Sequence, residues 1–146
     1  MKKKVLISAS IIAILLIAAV CCYFMPKTFG KHVNPSDVDH IIVFDGNTGT
    51  GFTITDSEDI EYIVENIQNI SMRRHGISLG RMGYGFKIGY VTSNDKAVIP
   101  LFYLNSDSTI RKNPFFYRCD GGLCFEYLKV CEEKYRTNVT EAIEEK

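Results

Sequence analysis

Arginine and histidine gather in one short stretch of the sequence, SMRRHGISLGR. It holds Arg73, Arg74, His75 and Arg81, and Lys87 follows soon after. A guanidinium group presents a planar fork of donors that matches carboxylate and phosphate oxygens, so clustered arginines are typical of anion-binding sites. The alternative is an exposed basic loop with no specific ligand. We therefore take this stretch as the candidate site, with an anionic wall polymer, a lipid headgroup or a protein as its partner.

The segment HVNPSDVDH carries side chains of types that bind metals. His32, Asp37, Asp39 and His40 all lie within it. Their spacing matches no metal-site pattern, and aspartates in such segments commonly form turns and helix caps. A solvated linker is therefore the favoured interpretation.

The segment DGNTGTG resembles a fragment of a calcium loop, because Asp45 and Asn47 are two residues apart. An EF-hand loop has a bidentate Glu at its twelfth position, whereas Asp56 stands there. Gly, Asn and Asp are also the residues of tight turns. The segment is interpreted as a hairpin turn, and neither a metal nor a cofactor is predicted.

Glycines recur in the stretch GRMGYGFKIGY, which raises the question of a phosphate-binding loop. A dinucleotide fingerprint needs Gly-x-Gly-x-x-Gly at a turn from strand to helix. Gly83, Gly85 and Gly89 have a different spacing, and alternation of larger side chains continues through them. We therefore predict a strand whose glycines share one face and let another element approach closely. A bare strand facing a ligand is the alternative.

No catalytic motif is recognised in the sequence. Gly-x-Ser-x-Gly and His-Glu-x-x-His are absent, and no paired carboxylates stand out. The three histidines and scattered Ser and Asp could still assemble a triad in space. The prediction is a chain that is not an enzyme, with a non-enzymatic binding or sensing function; the alternative is a small enzyme or an enzyme inhibitor acting on the cell wall or on secreted proteins.

The N-terminal residues form a long uncharged run from Val5 to Met25, preceded by Lys2, Lys3 and Lys4. A helix of this length is about 30 Å long, close to the thickness of a bilayer core. Lysines ahead of the run predict a cytoplasmic N-terminus and an extracytoplasmic remainder. Residues 1–25 are therefore predicted to be cytoplasmic lysines and the transmembrane helix of a single-pass cell-membrane protein.

Two alternatives to an uncleaved anchor remain open. A cleavable signal peptide has a shorter apolar core and small residues at its cleavage site, whereas Cys21 takes the last small position after Ala19 and Val20. Lipidation at Cys21 is the other alternative, although the preceding Val20 is bulky for such a site.

The rest of the chain is predicted to be one domain with flanking segments. A juxtamembrane linker occupies 26–38, an extracytoplasmic domain 39–135 and a polar tail 136–146. Three of the 17 basic residues precede the apolar run, which leaves 14 against 17 acidic residues and a net charge of −3. Such a domain is not expected to bind nucleic acid, which needs a basic face.

Periodicity predicts the elements of this domain as β-β-α-β-β-β-β-α, with room for a further short strand near Met72. One helix follows an acidic cap and carries an apolar stripe at helical spacing, formed by Ile60, Ile63, Val64, Ile67 and Ile70. A strand over 97–104 contains Pro100, which places it at an edge or a bulge. The fold class is α+β, an antiparallel sheet with two helices on one face.

The last helix is predicted from about Leu123 to Tyr135. Its buried face is expected to hold Leu123, Tyr127, Val130 and Cys131.

Cys119 and Cys124 are close in sequence, and Asp-Gly-Gly between them can bend the chain. An extracytoplasmic position would permit oxidation. A Cys119–Cys124 disulfide and two free thiols are both open at this stage.

The domain resembles a family of small extracytoplasmic domains of Gram-positive bacteria, tethered by one membrane helix or a lipid and classed as a domain of unknown function. FDGNTGTGFTITD, MGYGFKI and NSDSTIRKNPFFYRCDGG carry the resemblance, which covers roughly residues 38–135. It implies one tethered domain and transfers no functional residue.

Overall fold

A seven-stranded antiparallel sheet and three helices make up the part of the chain that the computed structural model describes, which is the backbone of residues 2–144 and the side chains of residues 7, 8 and 10–136. This confirms the predicted α+β class. The strands are β1 (His40–Asp45), β2 (Gly51–Ile54), β3 (Arg73–Ile77), β4 (Phe86–Val91), β5 (Phe102–Ser106), β6 (Thr109–Lys112) and β7 (Phe115–Arg118). The helices are α1 (Lys2–Phe24), α2 (Ser57–Asn69) and α3 (Phe125–Glu144), with a 3-10 helix at Pro35–Asp37.

The strands lie in the order β2-β1-β4-β5-β6-β7-β3. Short turns join the antiparallel neighbours β1 and β2, β5 and β6, and β6 and β7, whereas a ten-residue connection joins β4 to β5. β3 is the short strand expected near Met72, and it lies at the edge beside β7. One face of the sheet is buried by period-two alternation, with Val43 opposite Ile88 and Phe86 opposite Leu104.

Helix α2 forms as its sequence pattern predicts. The Asp56 carboxylate accepts a hydrogen bond from the Glu58 backbone N–H at 2.9 Å, which satisfies one of the free donors of the first turn. Four residues of the predicted stripe are buried in the core, namely Ile60, Ile63, Val64 and Ile67. Each such side chain contributes about 1.5–3 kcal/mol by leaving water.

The strand predicted over 97–104 begins later and lies elsewhere in the sheet. β5 starts at Phe102 and pairs with β4 and β6 on its two sides, so it is not an edge strand. Before it, Ala97 makes only an isolated bridge to Val91. Pro100 has no N–H for a ladder, and the strand therefore begins after it. The edge position was wrong; β5 does have a register shift, but it lies between Leu104 and Ser106 and not at Pro100.

Helix α3 begins at Phe125, two residues after Leu123. Its buried side chains include Leu128, Cys131 and Tyr135, whereas Val130 is 62% exposed. Leu123 is buried but precedes the helix, so counting it as a helical position shifted the predicted face towards Val130. The backbone is helical to Glu144, and the predicted polar tail lies, beyond Arg136, outside the described side chains.

The segment 26–38 packs on the domain instead of forming the expected linker. Phe29, Val33 and Val38 belong to the main hydrophobic core, and the Phe29 ring meets Tyr117 edge-on with centroids 4.8 Å apart. Lys27 pairs with Met72 through two backbone hydrogen bonds of 2.7 and 2.8 Å. The apolar side chains at these positions give the segment a surface to bury.

Among the described residues, none of the helices is long and apolar enough to cross a membrane. The predicted membrane helix begins at Val5, and the side chains of residues 1–6 and 9 lie outside the described part, so the anchor stays a prediction. Side chains along α1 such as Leu15 and Ile17 are more than 60% exposed.

Candidate anion-binding site

The basic stretch after α2 is a strand, not the loop expected from the sequence. In β3, Arg73 lies opposite Arg118 of β7, and Arg74 lies opposite Tyr117. Successive side chains of a strand point to opposite faces. The side chains of Arg73 and Arg74 therefore point to opposite sides of the strand, although the residues are adjacent in the sequence.

A cavity of about 480 Å³ lies at this edge of the sheet. The turn between β5 and β6 and the chain after β7 form its other walls. Its lining consists of Arg73, Arg74, His75, Asp107, Ser108, Arg118, Cys119, Asp120 and Gly121. The structure thus brings together Arg73, Arg74 and His75 of the predicted cluster and adds Arg118, which the sequence analysis missed.

Arg73 and Arg118 form a cross-strand pair of like charge. Both side chains are exposed, and in the described part of the chain no carboxylate lies within ion-pair distance of either. Like charges directly opposite each other in a sheet are destabilising. The pair therefore does not stabilise the fold, and its two guanidinium groups are available to an anion.

The cavity also has acidic walls. Asp107 and Asp120 line it together with Ser108. Backbone hydrogen bonds fix these walls, since Cys119 N–H donates to Ser108 O at 3.0 Å and Leu123 N–H donates to Asp107 O at 2.9 Å. The site suits a ligand with an anionic group for the arginines and hydroxyl or ammonium donors for the carboxylates.

The Arg74 side chain contacts the end of helix α1. Its Nη1 donates to the carbonyl oxygens of Cys22 at 3.4 Å and Tyr23 at 3.3 Å. Its guanidinium group lies 5.3 Å from the Tyr23 ring centroid and 4.9 Å from that of Phe115. The last carbonyls of a helix lack partners within the helix, so Arg74 caps α1 and joins it to the sheet.

Arg81 does not line the cavity. It lies in the connection between β3 and β4, which we call the β3–β4 loop (residues 78–85), and its carbonyl oxygen accepts from Arg111 Nη1 at 2.9 Å. Arg111 is buried between the rings of Tyr84 and Tyr103, at 5.6 and 4.1 Å from their centroids. The sequence analysis missed Arg111, which pins this loop to the sheet.

A second polar cluster joins α2 to α3 through Asp59. The buried carboxylate accepts hydrogen bonds from Tyr127 Oη at 2.5 Å, Tyr135 Oη at 2.7 Å and Lys134 Nζ at 2.8 Å. Burial alone would raise the pKa of Asp59, but these three donors together hold it below its usual value. Burial and the bond to Asp59 raise the pKa of Tyr135 to about 12. Lys134 Nζ also donates to Asp56 Oδ2 at 3.3 Å, so the three donors are all used within the chain and the cluster is structural.

The turn after β1 is a hairpin turn, as predicted. The buried Asp45 carboxylate accepts from the Asn47 backbone N–H at 2.8 Å and from Thr48 Oγ1 at 3.0 Å. The buried Glu132 of α3 accepts from Thr50 Oγ1 at 2.9 Å and holds the turn to the helix.

In the segment predicted to be a solvated linker, two neighbouring side chains are within hydrogen-bond distance. The His40 Nδ1 atom lies 2.9 Å from Asp39 Oδ2. The other two residues of that group are His32 and Asp37. Within the residues that the structure describes, no group of three or more His, Cys, Asp or Glu side chains is placed to hold a metal.

Of the glycine prediction, the close approach of another element holds at Gly85 and Gly89, but the shared strand face does not. A Cβ on Gly85 would lie 2.5 Å from Phe125 Cε2, so the bare backbone admits the first residue of α3. A Cβ on Gly89 would lie 2.7 Å from Leu101 Cδ2. Gly83, however, lies outside the strand with φ +87° and open space around it. Gly85 also precedes β4, so the three glycines do not share a strand face.

The cysteine thiols are free in this structure. Cys119 lines the cavity, and its thiol donates to Gly121 O at 3.6 Å. Burial raises the pKa of the Cys124 thiol to about 12 and that of Cys131 to about 11. The Cys119–Cys124 bond that the sequence left open is not formed.

The sheet face opposite the core, here called the outer face, carries an apolar groove of about 450 Å³. Ile42, Phe44 and Leu101 on this groove are between 38% and 51% exposed, and Lys87 is its one charged lining residue.

Comparison of the chain with protein-family models, with curated proteins and with solved structures found no match.

Proposed function

We propose that this chain is a membrane-anchored extracytoplasmic protein whose domain binds an anionic ligand at the Arg73–Arg118 cavity without catalysing a reaction. The anchor is supported by the uncharged run from Val5 to Met25 and the three lysines ahead of it. The resemblance to tethered extracytoplasmic domains points the same way.

The arginine pair is the observation that carries this proposal. Arg73 and Arg118 are held side by side on paired strands at the rim of a cavity, with no carboxylate within ion-pair distance in the described part of the chain. Such an arrangement costs stability. A bound phosphate or carboxylate would turn the repulsion into charge-assisted hydrogen bonds, which are stronger than neutral ones.

The mixed charge of the cavity narrows the ligand class. Two arginines favour a phosphate or carboxylate group, and Asp107 with Asp120 favours neighbouring hydroxyl or ammonium groups. A polyol phosphate has the required combination, as in the anionic polymers of bacterial cell walls. Binding is expected to weaken with salt, because exposed charges are screened over about 10 Å at 0.1 M.

The test measures binding of poly(glycerol phosphate) to the full chain in nanodiscs of neutral lipid. Wild type, Arg73→Gln and Arg118→Gln are compared at low and high salt. Lys96→Gln is the matched control, because it removes an exposed basic residue at a distant turn. We expect salt-sensitive binding by wild type and Lys96→Gln and at least about tenfold weaker binding by both arginine variants, since a hydrogen bond to a charged group contributes about 1.5–3 kcal/mol.

Equal binding by all four proteins would overturn the cavity as the site. Absence of binding by wild type at low salt would overturn this ligand class.

A second candidate is a protein partner on the outer face, consistent with an inhibitor of wall-associated or secreted enzymes. The observation that favours it is the exposed apolar groove around Ile42, Phe44 and Leu101. Phe44→Asp would abolish capture of such a partner and leave poly(glycerol phosphate) binding unchanged.

A further inference from the structure

The β3–β4 loop and the end of β3 display large apolar side chains to solvent. Leu79 is 66% exposed, Ile77 63% and Met82 95%. Single exposed apolar residues are ordinary, but here three lie within six residues of the sequence. This surface, defined by Ile77, Leu79 and Met82, is separate from the Arg73–Arg118 cavity.

Polar contacts at both ends hold the loop that displays this surface. At one end Ser78 donates its N–H to Pro114 O at 2.8 Å and its hydroxyl to Asn113 Oδ1 at 2.9 Å. At the other end Arg111 Nη1 donates to the carbonyls of Arg81 at 2.9 Å and Gly83 at 3.2 Å. The backbone is therefore pre-organised, and the apolar side chains point outwards from a fixed frame.

The stretch of sequence that carries this apolar surface has charges of one sign. Residues 66–94 contain no Asp or Glu, although the remainder after the N-terminal run carries a net charge of −3. Arg81 is exposed and lies directly beside Met82. An apolar tip with basic neighbours is the composition of segments that lie at the boundary of an anionic bilayer.

The apolar surface lies close to the end of helix α1. Arg74 of β3 caps the carbonyls of Cys22 and Tyr23, and Phe115, the residue opposite Ile77, packs on the Tyr23 ring with centroids 5.9 Å apart. Lys27 is bridged to Met72, and only three residue steps separate it from Phe24, which span at most about 10 Å.

We infer that Ile77, Leu79 and Met82 insert into the headgroup region of an anionic membrane beside α1, with Arg81 on the lipid phosphates. This inference rests on the proposed anchor, because the end of α1 lies at the bilayer boundary only if α1 spans the membrane. The loop then fixes the domain against the bilayer, and the Arg73–Arg118 cavity at the same edge of the sheet faces ligands close to the membrane surface.

The test exploits the absence of tryptophan from the chain. The full chain is reconstituted into vesicles that contain anionic phosphatidylglycerol with brominated acyl chains, and Leu79→Trp and Met82→Trp each report the depth of one position. Val130→Trp is the matched control, since Val130 on α3 is 62% exposed, close to the 66% of Leu79. Circular dichroism of each variant confirms that the fold is retained.

We expect both loop reporters to be quenched, because side chains inserted about 5–10 Å into the boundary reach the bromines, and the Val130 reporter to be unquenched. Adding Arg81→Gln should weaken docking of the loop about fivefold, as expected for one basic residue at an anionic surface. Quenching of neither loop reporter, or of all three alike, would overturn the inference.

Flotation of the wild-type chain with the same vesicles at high salt separates this inference from the anchor. A chain that floats but has unquenched loop reporters overturns only the docking of the loop. A chain that does not float overturns the anchor and the loop inference together.

Discussion

Two charged clusters of this protein differ in how their charges are compensated. At the junction of α2 and α3, one buried carboxylate, Asp59, accepts from three donors. At the edge of the sheet, Arg73 and Arg118 lie opposite each other, and neither meets a carboxylate within ion-pair distance in the described residues. The first cluster is complete within the chain, whereas the second has no ion-pair partner among the described residues.

The difference separates stability from binding. A buried charge with all its partners rigidifies the contact between two helices. Like charges held at a cavity cost the folded state a little and give a ligand something to neutralise. Changes in the Asp59 cluster should therefore alter the free energy of unfolding, whereas changes in the arginine pair should alter the affinity for a ligand.

The largest effect is expected from Asp59→Ala. Loss of the carboxylate leaves the hydroxyls of Tyr127 and Tyr135 without their acceptor at a buried junction, which should lower the free energy of unfolding by about 2–3 kcal/mol. Denaturant unfolding of the full chain in nanodiscs measures it. Glu61→Ala on the exposed side of the same helix should stay within about 0.5 kcal/mol of wild type. If Asp59→Ala also lowered the free energy of unfolding by less than about 0.5 kcal/mol, the cluster would not be structural.

Acid should weaken the Asp59 cluster. The pKa of Asp59 is lower in the folded state than its usual value, so its contribution is fully present above about pH 4, the unfolded pKa, and is lost as the pH falls through the folded pKa. The stability gap between wild type and Asp59→Asn should therefore narrow below about pH 4. A gap that is constant down to pH 2 would contradict this assignment.

Much of the fold could be predicted because its signals are local. The stripe of α2, the Asp56 cap and the hairpin turn at Asp45 depend on residues within a few positions of each other. Pro100 and Leu123 misled the prediction, because each stands just outside the element to which it was assigned.

The candidate site was predicted only in part, because it depends on pairing between distant segments. β3 crosses to the far edge of the sheet, and that crossing alone brings Arg118 beside Arg73. The sequence pattern of the stretch with Arg73 and Arg74 indicates a loop. The alternation of side chains that holds in a strand was therefore not expected there. The role of Arg74 as the cap of α1 depends on contacts with residues that lie 51 and 52 positions away, which composition does not show.

Cys119 offers a smaller effect that reports on the cavity itself. Its thiol lies in the cavity wall, whereas Cys124 and Cys131 are buried, with raised pKa values. Since the thiolate is the reactive form, iodoacetamide should modify Cys119 faster than the other two. Poly(glycerol phosphate) should slow the reaction of Cys119 and leave that of Cys131 unchanged. Peptide mass spectrometry gives both rates, and equal slowing of both would indicate a general effect instead of occupancy of the cavity.

The most direct test of the central claim measures stability and affinity together on Arg118→Gln. We predict that its free energy of unfolding is equal to that of wild type or higher by up to about 1 kcal/mol, because a like-charge pair is relieved. Its affinity for poly(glycerol phosphate) should fall at least about tenfold. A less stable variant with unchanged affinity would contradict the account, since it would mean that Arg118 serves the fold and not a ligand.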